Sequence, residues 1–165
     1  MADTPNTPPA RQVLLQKMYI KDASLEVPLA PQIFTRNWQP TMDVQVNTQI
    51  NAIAQDTYNV VLSVTVTAKL EADVGFLVEV HQAGIFTVSG FADQNEIGAI
   101  LGGYCPGLLF PFARQAVAEL VQQGGFPQLL LQPINFDALY LEHQNRARTE
   151  QAAQIGANAA VASKH

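Results

Sequence analysis

Cysteine is almost missing from this chain. Cys105 stands alone among 165 residues, which excludes an internal disulfide, and one thiol with three separated histidines offers no metal-ligand spacing. Basic residues are also few. Nine Lys and Arg lie scattered against fourteen Asp and Glu, for a net charge of −5, so a phosphate-binding surface for nucleic acid is not expected. There is no run of about 18 uninterrupted apolar residues, and no cationic start followed by an apolar core and a small-residue cleavage site. A soluble cytoplasmic protein without direct membrane insertion is expected, with proteins as its partners. A GxxxxGK[ST] loop is absent and none of the four lysines follows a glycine, so an ATP cycle within the chain is unsupported. No cofactor, metal or catalytic residue is expected.

What is present is enough apolar material, 48% of residues, for one core in one domain. Residues 1–16 hold proline, threonine and asparagine with few large apolar side chains and read as a flexible arm. Residues 17–144 form the domain. From Met18 to Val27 alternation predicts a strand with Tyr19, Ala23, Leu25 and Val27 on one face and Asp22, Ser24 and Glu26 on the other. Pro28, Pro31 and Pro40 then bracket an apolar loop carrying Leu29, Ile33, Phe34 and Trp38; a loop of this length tends to be functional. Met42, Val44, Val46 and Thr48 predict a second strand, with NAIAQD as connector. A third follows in YNVVLSVTVTAKLEA, where β-branched residues dominate. After a turn at Ala72, Asp73 and Val74, GFLVEVHQAGIFTV predicts a fourth, with Phe76, Val78 and Val80 opposite Leu77, Glu79 and His81, and with Gly84 marking a bulge.

Helical signals come next. Asp93 with Glu96 makes a capping-box variant, and Leu109, Phe112, Ala113, Ala116, Val117, Leu120 and Val121 keep helical spacing. These stretches make one long kinked helix or two, disturbed by Pro106 and Pro111 and stopped at Gly124. Asn135 can cap a further helix with Phe136, Leu139, Tyr140 and His143 on one side. Residues 145–165 lose amphipathic pattern and read as a flexible alanine-rich tail. Four strands followed by helices predict an α+β fold with a four-stranded antiparallel sheet, a long kinked helix and a second C-terminal helix.

From about Lys17 to Leu141 the chain resembles the SecB family. The segments that carry the likeness are YIKDASLEVP, FTRNWQP, YNVVLSVTVTA, GIFTVSG, YCPGLLFPFAR and, most specifically, GGFPQLLLQPINFDALY. The resemblance implies a dimer of dimers, a homotetramer that holds unfolded secretory precursor proteins without ATP and delivers them to the SecA motor. It places a SecA-binding patch at Asp22, Glu26, Leu77 and Glu79. It also marks Val78, Val80 and Gln82 as positions that influence tetramer assembly. Broad client recognition needs apolar pockets and surfaces that pair with extended backbone, and Ile33, Phe34 and Trp38 over Phe136, Leu139 and Tyr140 are the expected client groove. The tail TEQAAQIGANAAVASKH lacks the acidic character of some SecB termini, so no tail contribution to SecA binding is expected.

By residue type alone, Phe34 and Trp38 read as core aromatics and the three acids as solvated strand residues that discourage edge aggregation. Cys105 before Pro106 suits an inert buried thiol, and His81 and His143 read as packing or solvent-facing residues. Two rival functions are a SecB-like chaperone dedicated to a toxin–antitoxin pair and a small-molecule-binding α+β domain. The second would show a closed pocket with convergent polar groups.

Overall fold

The structure, a computed structural model, describes residues 7–162. Four antiparallel strands form one sheet in the order β1-β4-β3-β2: β1 (Gln12–Glu26), β2 (Thr41–Ala54), β3 (Thr57–Leu70) and β4 (Asp73–Ser89). Two-residue turns join β2 to β3 and β3 to β4, with Asp56 and Glu71 in the left-handed region at φ 52° and 54°. By contrast β1 and β2 occupy opposite edges. Their connection must cross three inter-strand gaps, about 14 Å, which explains why the proline-rich segment between them is long. Its middle tightens into a short 3₁₀ turn, Gln32–Thr35.

Alternation governs burial where both neighbours are strands, except that Val61 and Ala83 are buried on the other face as well. Val60, Leu62, Val64, Val66 and Ala68 of β3 and Phe76, Val78, Val80, Phe86 and Val88 of β4 are all buried on one face. Helix α2 (Cys105–Gln123) lies over that face, on β4 and β3. It continues from α1 (Gln94–Ala99) through a π turn, Ile100–Tyr104. Asp93 caps α1 by accepting from the Asn95 amide at 2.9 Å. The reciprocal half of the capping box is replaced, because the Glu96 carboxylate turns to Arg11 at 3.1 Å. Pro106 is tolerated in the first turn of α2, whereas Pro111 sits inside it. The left-handed stop is Gly125, at φ 89°, one residue beyond the expected Gly124.

Several boundaries differ from those predicted by sequence. β1 starts at Gln12, because residues 12–15 pair with β4 from Ser89 to Phe86; of the expected arm, residues 1–6 lie outside the described chain. NAIA belongs to β2. The bulge expected at Gly84 lies instead at Gly75, where the register passes from Ala68↔Phe76 to Lys69↔Val74. Gly84 pairs regularly, and its lack of a side chain admits Phe86, Leu109 and Leu15. Register slips at Gln16 and Lys21 re-aim β1, so Tyr19 shares a face with Asp22 rather than with Leu25. Phe110, not Phe112, points into the core; Phe112 is on the outer side of α2. Finally, α3 (Phe136–Ala162) continues as an exposed helix through the expected loose tail, of which residues 163–165 lie outside the described chain.

Cys105, the first residue of α2, is fully buried, and burial pushes its thiol up to about 12. The thiolate is the reactive species. Native protein at pH 8 will therefore fail to react with a disulfide reagent that labels it fully in denaturant; rapid native labelling would contradict this packing.

Candidate functional site

Two surfaces stand out, on opposite faces of the sheet. On the helix-bearing side, β2 extends beyond the cover that α2 gives to β3 and β4, and its inward row Met42, Val44 and Val46 is left partly open. Facing it is the irregular segment after α2, bracketed by Pro127 and Pro133, which brings Leu129, Leu130, Leu131 and Ile134 alongside. Asn135 then starts α3, its side-chain oxygen accepting from the Ala138 amide at 3.0 Å. The first turns of α3 bring Leu139 and His143 to the same space. The result is an open apolar groove of about 740 Å³. A narrower recess of about 240 Å³ lies between Val46, Ile50, Leu139 and Tyr140. Gly102 in the π turn lets α3 approach, since a Cβ there would strike the Tyr140 ring.

Beyond Leu129 the chain leads back to Phe126, centre of an aromatic cluster. Its ring centroid is 5.1 Å from Phe34, 4.6 Å from Trp38 and 5.0 Å from Phe76. Trp38 also stacks on Phe76 at 5.9 Å, and Arg36 ties the loop to Asp73 at 2.9 Å. Phe34 remains half exposed.

The six residues expected to form one groove thus separate into three groups. Leu139 and Tyr140 line the apolar surface; Phe34 and Trp38 belong to the aromatic cluster; Ile33 and Phe136 are buried, at 2% and 5% exposure. Ile33 is a core residue, and Phe136 packs on Phe110 at 5.5 Å with only its margin at the recess. Sequence reasoning missed Met42, Val44, Val46, Leu129, Leu130, Leu131, Ile134 and Phe126. An apolar run between two prolines was the available signal, the same one that drew attention to residues 28–40.

Gly75 supports the aromatic end, because a Cβ at that position would lie 2.7 Å from the Trp38 indole. Gly75→Val will displace the indole and cost about 1–3 kcal/mol of stability by overpacking. As Trp38 is the chain's single tryptophan, the variant's fluorescence will shift to the red. An unchanged spectrum would show that the indole has other room.

The opposite face of the sheet carries no helix. There the register sets Glu26 opposite Leu77, Ser24 opposite Glu79 and Asp22 opposite His81. The four residues of the expected docking patch therefore share one surface, and the His81 ring pairs with the Glu79 carboxylate. Tyr19 spans the same face at the other end, donating to Asn59 at 2.8 Å across Ala83. Val78, Val80 and Gln82 do not reach this or any outer surface. They are 0%, 0% and 4% exposed on the helix-facing side, as core residues beside α2. Among the described residues no group of His, Cys, Asp and Glu is placed to hold a metal ion.

An α+β scaffold with an open apolar groove on one face and an acidic row on the other defines a class of protein that can receive extended peptide segments. Comparison with known proteins makes this specific. The family model described as preprotein translocase subunit SecB matches residues 6–147. The chain is 48% identical over 145 residues to protein-export protein SecB of Methylococcus capsulatus, covering 88% of this chain and 93% of that one. It is 49% identical over 146 residues to the protein of the same name from Nitrosococcus oceani, covering 87% and 88%. Among solved structures, the fold is similar to a SecB-like chaperone of Mycobacterium tuberculosis in complex with a ChAD peptide from the HigA1 antitoxin. The TM-score is 0.60 at 18% identity, covering 74% of this chain and 87% of that one. The chain belongs to the SecB family and is a protein-export chaperone.

Proposed function

We propose that this chaperone is an ATP-independent holdase of the cytoplasm, with no enzymatic activity. It works as a homotetramer, a dimer of dimers, and passes unfolded secretory precursors to SecA. The observation that carries the client side of this reading is the 740 Å³ groove, whose walls are Met42, Val44, Val46, Leu129, Leu130 and Leu139. Its openness and mainly apolar walls, with Gln132, Asn135, Glu142 and His143 among the lining, suit apolar side chains of many sequences better than the closed small-molecule site weighed above. The half-exposed Phe34, backed by the partly buried Trp38, adds an aromatic shelf for bulky client residues. Asp22, Glu26, Leu77 and Glu79 form the surface for SecA. Val78, Val80 and Gln82 act on assembly indirectly, by seating α2 and hence its outer side.

Weak sites repeated over four subunits raise avidity by about 10² to 10⁴ when one long client reaches several. Selection then follows folding speed, since fast folders bury their apolar segments before capture. Light scattering with a chemically unfolded, slow-folding precursor tests this directly. A tetramer that takes up the unfolded form and ignores the folded one is the expected result. A monomer, or indifference to folding state, would overturn it.

A further inference from the structure

We propose that His81 makes docking through the open sheet face pH-dependent, its protonation neutralising part of the acidic row that a basic partner surface must meet. This rests on the docking role of Asp22, Glu26 and Glu79 given above. His81 lies inside that row. Its Nε2 contacts the Glu79 carboxylate two residues back on β4, and Asp22 of β1 is its direct register partner. On the β3 side it faces Ser63, with Thr65 and Thr67 next along the same face; the charge of that strand, Lys69, lies six residues away, beyond the Leu77 end of the row. The remaining charges of β1 are Glu26 at one end of the row, Lys21 at the register slip and Lys17 opposite Ile85. The His81 side chain keeps 27% exposure and Glu79 42%, so both are open to a partner.

Histidine changes charge between about pH 5 and 8. When neutral, the ring donates one N–H to Glu79, and the row presents three full carboxylates. When protonated, the imidazolium places a positive charge between Glu79 and Asp22 and holds the Glu79 carboxylate in an ion pair. A cation on the partner then meets a weaker field and must displace His81 to reach Glu79. Complex formation therefore favours the neutral ring, and binding at the acid end releases a proton.

The test measures SecA binding to the full-length protein by calorimetry at pH 8 and pH 5.5, for wild type and for His81→Gln, which keeps a donor to Glu79 without a titrating charge. Groups on SecA contribute equally to both, so the comparison isolates His81. Wild type should lose about threefold more affinity on acidification than the variant, the scale of one exposed charge pair. At pH 6, buffers of different ionisation enthalpy should reveal more proton release for wild type. Equal pH slopes and equal proton release would overturn the proposal. Absence of SecA binding at every pH would instead overturn the docking role on which it rests.

Discussion

Val44→Asp combined with Leu130→Asp will weaken capture of unfolded clients by about 100-fold or more. Both side chains line the groove, and both are already well exposed, at 42% and 65%. Each apolar client side chain that loses its contact forfeits about 1.5–3 kcal/mol, and about 1.4 kcal/mol is tenfold in affinity. The introduced carboxylates add a desolvation cost whenever a client lies over them. Exposed sites of this kind change folding stability by only about 0.5 kcal/mol, so the denaturation midpoint should hold while anisotropy of a labelled unfolded precursor collapses. Unchanged client affinity would move the client surface away from β2 and residues 129–135. The substitution leaves the opposite sheet face untouched, so SecA binding should persist.

The reverse separation is expected from Asp22→Asn, Glu26→Gln and Glu79→Gln together. These side chains occupy the helix-free face and support no part of the core. Neutralising them removes three charges from one patch, where electrostatic complementarity governs encounter rate and register. Affinity for SecA should fall at least about tenfold, and the salt dependence that remains should be shallow. Client capture should be unaffected. Retained SecA affinity with retained salt dependence would place docking elsewhere on the chain. Because the proposed client and SecA surfaces lie on opposite sides of one sheet, the two sets of variants should give opposite patterns.

Much of the fold was legible from local pattern. The period-two run of β3 and the inward row of β4 were readable because both strands are buried between neighbours, and a register error there would expose every valine. Asp93 and Asn135 announced helix starts because capping is decided within a few residues. The same locality explains the misses. The length of α3 beyond Asn145 has no amphipathic signature, since the described residues of that part of the helix are exposed on every side. The slips in β1 depend on fit against β4, so the side on which Tyr19 falls could not be read from alternation alone.

By itself, then, the sequence determined the α+β class, the order of strands and helices, the family and with it the export-chaperone role, and the separation of acidic from apolar residues along β1 and β4. These rest on periodicity, capping and motif, which are properties of neighbouring residues. Only the tertiary structure decided that β1 and β2 lie at opposite edges, that Leu129 to Ile134 face Met42 and Val44, and that Ile33 and Phe136 belong to the core. It also set His81 against Glu79 and Asp22. Those facts follow from contacts between segments remote in sequence, where burial and shape choose among pairings that local pattern leaves equal.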